Sequence, residues 1–331
     1  MTTNPPAEPA RFVPPRVGVV VPCYGVRDSI LSVLERIGAE VDVIYVVDDR
    51  CPERTGFFVE KEARDPRIRV LFHEFNQGVG GAVLTGIAAA LKDEIEVVVK
   101  IDGDGQMDPA LIPLFVRPIA KGEADVTKGN RFFNLDDVRS MPTARLFGNA
   151  ALSFLTKLSS GYWNIFDPTN GYVAWDARLL AIIPRDKLDK RYFFETDLLF
   201  RVGLLRAKVL DIPMTAIYAD EKSNLRIGRE LLPFLFRNLR NFGKRLFYNY
   251  FLRDFNVASL EIVFGLVLSL FGLIYGIAHW GGTEAASAGT VMIAAFPLLT
   301  GILLLVSFVN FDAQQVPRET ISSRLPGRRD D

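Results

Sequence analysis

The segment Asp102-Gly103-Asp104-Gly105-Gln106 follows directly on the apolar run Val97-Val98-Val99-Lys100-Ile101. Two carboxylates two residues apart at a strand end can share a divalent cation with the phosphates of a nucleotide. A departing diphosphate develops negative charge, and a cation neutralises it. The intervening glycines permit close backbone approach. Asp48-Asp49 ends a second apolar run, Val43–Val47, and Pro22-Cys23-Tyr24 ends a third, Val17–Val21. An Asp pair alone serves equally well as a turn or a helix cap. The chain has two histidines, His73 and His279, and two cysteines, Cys23 and Cys51. That is too few for a His-rich or Cys-based metal centre or a disulfide framework. A metal must then be held by oxygen ligands, which points to Mg²⁺ or Mn²⁺.

These acidic strand ends need a scaffold that brings them to one edge. Val17–Val21, Val43–Val47, Ile68–Phe72 and Val97–Ile101 read as short strands. The segments between them, Asp28–Gly38, Arg54–Arg64 and Gly80–Lys92, read as helices. The alternation predicts an α/β domain with a doubly wound parallel sheet. In such sheets ligands bind beyond the carboxyl ends of the strands, where the aspartates lie.

The last quarter of the sequence has a different character. No Lys or Arg occurs from Asp254 to Pro317, and Ile262–Thr283 and Ala285–Phe311 are apolar throughout. Each exceeds the roughly 20 residues that cross a bilayer core as a helix, so the two predict a transmembrane hairpin. A buried helical pair in a water-soluble core is the alternative. Arg237, Arg240, Lys244, Arg245 and Arg253 precede the pair, and Arg318, Arg324, Arg328 and Arg329 follow it. The bias places both termini in the cytoplasm. Just before the hairpin, Leu235, Leu239, Phe242, Leu246 and Tyr250 form one apolar stripe, with Arg237, Arg240 and Lys244 opposite. Such a helix suits a membrane surface; packing on its own domain is the other reading.

With 331 residues, 49% hydrophobic, the chain has room for one large domain or two ordinary ones. Its 39 basic and 39 acidic side chains leave no net charge, which argues against a general nucleic-acid binder. The expected organisation is a loose Pro-rich tail over 1–15, a catalytic domain over 16–228, amphipathic juxtamembrane helices over 229–256, two spans over 257–311 and a cytoplasmic tail over 312–331. Gly78-Val79-Gly80-Gly81 lacks the third glycine of a dinucleotide loop and follows the wrong strand. Cys51 has no nearby histidine in sequence and reads as a small buried residue.

Several segments together resemble the family 2 glycosyltransferases. They are Val20-Val21-Pro22-Cys23-Tyr24, Val46-Val47-Asp48-Asp49, Asn76-Gln77-Gly78-Val79-Gly80-Gly81-Ala82, Asp102 through Pro109, and Gly129-Asn130-Arg131-Phe132. Their order and spacing are most similar to the polyprenyl-phosphate branch, the dolichol-phosphate-mannose synthase type, over residues 16–225. The resemblance implies a GT-A fold, that is, a Rossmann-like, mostly parallel sheet. It implies transfer of a sugar from a nucleotide sugar to polyprenyl phosphate at a membrane, with Mg²⁺ or Mn²⁺. It assigns Asp102, Asp104 and Gln106 to the metal, with Asp102 also near the ribose. Pro22, Tyr24, Asp48, Asp49 and Gly78 fall to the nucleotide, and Arg131 to the reacting phosphates. Glu195-Thr196-Asp197 resembles the acidic motif that supplies a base, through Glu195 and Asp197. Lys222, Ser223 and Arg226 resemble the basic segment that closes over the diphosphate. Similar proteins assemble through membrane-proximal helices, so a homo-oligomer is compatible with the resemblance.

The sequence also departs from the family. Gly25-Val26 stands where Asn-Glu is usual, and Arg50-Cys51 where Gly-Ser is usual. Both changes touch base recognition. A catalytically altered membrane scaffold, or a transferase with a non-lipid acceptor, are the alternatives. A processive synthase would carry a Gln-x-x-Arg-Trp motif and further spans. The block from Gly161 to Tyr172, rich in aromatics and turn residues, either lines a pocket or packs as a loop.

Overall fold

A computed structural model describes residues 14–133, 143–215, 227–280 and 286–325. Seven strands form one sheet: β1 Val17–Cys23, β2 Val43–Asp48, β3 Ile68–Phe72, β4 Val97–Lys100, β5 Val126–Asn130, β6 Val173–Asp176 and β7 Val209–Pro213. Their order is β3-β2-β1-β4-β6-β5-β7. All neighbours run parallel except around β6, which is antiparallel to both β4 and β5. The first four strands lie where the apolar runs predict them. The other three complete the sheet on the far side of β4.

The helices of the domain are α1 Ile30–Glu35, α2 Thr55–Glu62, α3 Val79–Lys92, α4 Ile112–Ala120, α5 Thr143–Ser160, α6 Ala177–Ile182 and α7 Phe194–Leu204. They cover both faces of the sheet, so β1 and β2 are apolar at successive positions and not at alternate ones. Val20, Tyr45 and Val47 pack into one core with Val83, Ile87 and Phe194. Val19, Val21, Ile44 and Val46 face the other, with Ile30, Leu34 and Phe115. Each such aliphatic side chain, once fully buried, contributes about 1.5–3 kcal/mol.

Strand order reverses direction of progression between β1 and β4. At such a switch point the connections leave in opposite directions and open a crevice at the carboxyl edge. Pro22 near the end of β1 and Tyr24 just after it stand at that edge, with Asp102 after β4 and Arg131 after β5, which runs parallel to β7 and in the same sense as β4.

Beyond the sheet come α8 Ile227–Phe247, a π-helical turn Tyr248–Arg253, α9 Val257–Ala278 and α10 Ala288–Gln314. Helix α9 begins with a capping box in which Asn256 and Ser259 exchange hydrogen bonds. Helices α9 and α10 are both long and apolar enough to cross a membrane. At about 1.5 Å per residue they measure about 33 and 40 Å. They pack antiparallel, and at Gly272 an added Cβ would lie 2.5 Å from the Ala294 carbonyl and 2.6 Å from the Leu298 nitrogen. Small residues allow this backbone approach, as between helices in lipid. Among the described residues, many of their outward side chains are exposed, Ile277, Leu303 and Val306 among them. A helix in a water-soluble core would bury them.

Helix α8 corrects the expected stripe. The side facing the domain is polar: Asn238, Asn241 and Arg245 are buried. Ser159 donates to Asn238 Oδ1 at 2.7 Å, and Asn241 donates to Asp197 Oδ1 at 3.0 Å. The outward apolar side chains are Leu232, Phe236, Leu239 and Phe247, while Tyr250 is buried beneath Leu246 and Phe308. The helix therefore packs on its own domain with one face and presents an apolar face with another. The segment after α10, read from sequence as a tail, returns to the domain. Buried Asp125 accepts from the backbone nitrogens of Ile321 and Ser322, the latter at 2.8 Å.

Candidate active site

The carboxyl end of β4 carries the acidic segment into a tight turn. Gly105 has φ +81°, which an L side chain rarely adopts, and Gln106 N then donates to Asp104 Oδ1 at 3.0 Å. Asp102, Asp104 and Gln106 are all partly exposed at this edge. Their oxygens form a hard donor set of the kind that Mg²⁺ and Mn²⁺ take. Among the described residues, no three His, Cys, Asp or Glu side chains converge as a ready-made metal cluster. A cation here would draw the rest of its ligands from phosphate and water, as Mg²⁺ commonly does.

Beneath the carboxylates lies a group that the sequence reading did not single out. Lys100, the last residue of β4, is buried, and its Nζ is 2.9 Å from Asp102 Oδ1 and 3.0 Å from Glu195 Oε1. Burial pulls the Lys100 pKa down, but the Asp102 and Glu195 carboxylates more than offset this, so it stays protonated well above its ordinary value. Glu195, at the start of α7, thus reaches the site as one half of an ion pair. Gly171 closes the space above: a Cβ there would lie 2.5 Å from Lys100 Nζ and 2.9 Å from Asp102 Oδ2.

Arg131 follows β5 at the same edge. Its guanidinium donates from Nε to Asp167 Oδ2 at 2.7 Å and from Nη2 to Asp167 Oδ1 at 3.1 Å. Asp167 is buried and also accepts from Asn170 Nδ2 at 3.2 Å. This two-point contact fixes the plane of the guanidinium. Two strand positions back from Asn130, buried Lys128 donates to the Asn170 carbonyl. Burial lowers its pKa to about 8, against the pull of Glu195 and Asp167.

The other sequence-predicted residues divide. Tyr24 is 54% exposed and available to a ligand at the β1 edge, with Pro22 half-buried below it. Asp48 and Asp49 are buried and turn their oxygens to the chain. Asp48 accepts from Cys51 N at 2.7 Å and Gly56 N at 2.6 Å. Asp49 accepts from Gln77 N and Gly78 N and meets His73 Nδ1 at 2.7 Å. The pair shapes the loops of the crevice from behind. Gly78 has φ +90°, and a Cβ on it would strike the Lys190 carbonyl at 2.5 Å. Asp197 is buried away from the carboxylate edge, accepting from Asp189 N and Asn241. Lys222, Ser223 and Arg226 lie outside the described residues.

The Gly161–Tyr172 block packs as a loop and also borders the site, through Asp167 and Gly171. Tyr162 donates to the Ala207 carbonyl, Tyr172 stacks on Phe115 with centroids 4.0 Å apart, and Trp163 donates to Asp312 at 2.9 Å. Lys100 is the residue that sequence reasoning passed over, although it stands out as a cation ending an apolar strand. Asp167 falls within the aromatic and turn-rich block, but nothing in the sequence pairs it with Arg131.

A seven-stranded, mostly parallel sheet with carboxylates at the β1–β4 switch point defines a GT-A domain. A family model described as glycosyl transferase family 2 matches residues 18–180. An undecaprenyl-phosphate mannosyltransferase of Micrococcus luteus is 31% identical over 207 residues, which is 61% of this chain and 84% of that protein. A UDP-N-acetylglucosamine–dolichyl-phosphate N-acetylglucosaminyltransferase of Methanococcus voltae is 26% identical over 229 residues, 63% and 90% of the two chains. In three dimensions, glucosyl-3-phosphoglycerate synthase from Mycobacterium tuberculosis, solved with Mn²⁺, UDP and glucosyl-3-phosphoglycerate, shares the fold. Its TM-score is 0.52 at 20% identity, over 70% of this chain and 80% of that one. The chain belongs to glycosyl transferase family 2, and it is a glycosyltransferase.

Proposed function

We propose that this glycosyltransferase moves a sugar from a nucleotide sugar to a polyprenyl phosphate at a membrane surface. The observation that carries the reading is the joining of Asp102, Asp104 and Arg131 on one sheet edge to a domain fixed to two long apolar helices. The Micrococcus luteus and Methanococcus voltae relatives, named for undecaprenyl-phosphate and dolichyl-phosphate substrates, support it.

The step is an in-line displacement at the anomeric carbon. A phosphate oxygen of the acceptor attacks from the face opposite the nucleotide. The anomeric C–O bond to the diphosphate breaks, its electron pair leaves with the nucleoside diphosphate, and the configuration inverts. A lipid phosphate is already anionic at neutral pH, so no proton has to be removed from it. This fits a Glu195 held in an ion pair with Lys100. An alcohol acceptor would need a general base. Asp102, Asp104 and Gln106 would hold Mg²⁺ or Mn²⁺, which supplies charge neutralisation at the leaving diphosphate. Arg131 presents a planar donor to the incoming phosphate, and Tyr24 and Pro22 offer a stacking edge to the base. Lys222 and Arg226 would add positive charge over the diphosphate, and Ser223 a hydroxyl donor.

The apolar outer face of α8 would lie in the lipid headgroup region, with the hairpin through the bilayer. The basic residues on either side of the hairpin support a cytoplasmic location for the domain. Membranes containing the protein, given labelled nucleotide sugars and polyprenyl phosphate, should yield a chloroform-soluble product that depends on Mg²⁺ or Mn²⁺. Asp104→Ala should abolish it. Full activity in that variant, or a product formed only with a water-soluble acceptor, would overturn the proposal.

A further inference from the structure

Asp312 is a charged residue near the end of the second apolar helix, and it is buried. Both of its oxygens are engaged twice. Oδ1 accepts from Arg245 Nη1 and from the Tyr250 hydroxyl, each at 2.7 Å. Oδ2 accepts from Arg245 Nη2 at 2.8 Å and from the indole nitrogen of Trp163 at 2.9 Å. Arg245 belongs to α8, and its Nε donates to the Leu158 carbonyl of α5 at 3.0 Å. One carboxylate thus gathers the apolar hairpin, the juxtamembrane helix and the loop that leaves α5.

That loop leads to the transferase site within four residues. After Trp163, Phe166 N donates to Asp211 Oδ2 at 2.9 Å, and Asp167 then holds the Arg131 guanidinium at two points. The Arg131 backbone nitrogen also donates to Asp167, at 3.3 Å. Gly129 N donates to the Tyr172 carbonyl at 2.9 Å, so the far end of the loop is tied to the same strand. Tyr162, next to Trp163, is fully buried and fixed to the Ala207 carbonyl. A short segment pinned this often transmits a displacement at one end to the other, because buried hydrogen bonds leave it few alternative arrangements.

We propose that Asp312 and Trp163 are positioning residues for Arg131, so that seating of the apolar hairpin against the domain sets the guanidinium in its working orientation. The proposal rests on the role given to Arg131 above. It makes the contact between hairpin and domain part of the assembly of the site, and not only an anchor.

The test uses the full chain in lipid nanodiscs. Trp163→Phe removes one N–H donor and keeps a ring against Phe154, whose centroid is 6.1 Å away. Turnover should fall about tenfold while the KM for the nucleotide sugar stays within about twofold. In an Arg131→Lys background the same change should cost no further activity, as coupling through one group requires. Asp312→Asn should reproduce the effect more strongly. Ser307→Ala, which removes a bond between the two apolar helices to Glu261, should leave kinetics unchanged.

Amide hydrogen exchange over residues 129–133 and 165–170 provides a readout that needs no activity. Both segments should exchange faster in Trp163→Phe than in the parent protein. Unchanged exchange at 129–133, or an equal loss of turnover in the parent and Arg131→Lys backgrounds, would overturn the coupling. If the parent protein made no glycolipid, the functional reading would fall, and the exchange comparison would still decide this inference.

Discussion

Lys100→Met tests how the carboxylate edge is held. The substitution keeps most of the apolar stem and removes the ammonium that lies 2.9 Å from Asp102 and 3.0 Å from Glu195. At an effective dielectric of about 20, a pair of unit charges 3 Å apart attracts by about 5 kcal/mol. The Asp102 side chain is 30% exposed and Glu195 15%, so water weakens the first contact more than the second. Desolvating the ammonium costs several kcal/mol in the parent protein and offsets part of the gain. The net loss on deletion should therefore be about 3–5 kcal/mol, the range for removing one partner of a buried ion pair. Two carboxylates would remain beside each other with no cation between them. Unfolding in denaturant, followed by the fluorescence of buried Trp175, measures the loss. Lys100→Met combined with Glu195→Gln should recover at least about 1–2 kcal/mol, because the second change removes the orphaned charge. A loss below about 1 kcal/mol for Lys100→Met, or no recovery in the double variant, would refute the claim that this lysine holds the edge together.

Gly171→Ala should lower kcat/KM by at least about tenfold with little change in fold stability, since its methyl would press on Lys100 and Asp102 and shift a group the reaction needs; steady-state kinetics beside a melting curve checks this. Burial raises the Asp211 carboxyl to about 6. Between its unfolded value near 3.8 and about 6 the folded state binds more protons, so this group's contribution to stability falls as pH rises through that window. Asp211→Asn should accordingly gain about 1–2 kcal/mol at pH 7 and show no gain below about pH 4, by thermal unfolding across pH. Gly272→Val should lower the melting temperature of the detergent-solubilised protein while leaving nucleotide affinity intact, because its side chain would push α9 away from the α10 backbone.

Four strands, the acidic turn and the apolar hairpin were legible because each depends on a local pattern. Val17–Val21 and Val97–Val99 are continuous apolar runs, and a strand buried on both faces has no other reading at that length. Strand β5 was not legible, since Val126-Thr127-Lys128-Gly129-Asn130 is mostly polar and yet wholly buried. Its lysine and asparagine are satisfied by Asn170 and Asp211, partners about 40 and 80 residues away, which no local pattern contains. The same cause displaced the stripe on α8. Helical spacing finds the apolar side correctly only when the domain-facing side is apolar, and here Asn238, Asn241 and Arg245 occupy it. At the site, Asp102 and Asp104 after β4 and Arg131 after β5 share one sheet edge. Asp48, Asp49 and Asp197 direct their charge into neighbouring loops and helices of the fold, a difference that residue type does not carry.

The clasp of residues 321 and 322 on Asp125 has a mechanical consequence. Asp125 precedes β5, so it lies at the sheet rim remote from the acidic turn. The chain leaves the domain through the turn at Tyr248–Arg253, makes its apolar excursion and is stapled again at this remote rim. A body suspended from one strap can swivel; one gripped at two separated points cannot. The catalytic crevice is thereby held at a set tilt and height above the apolar helices.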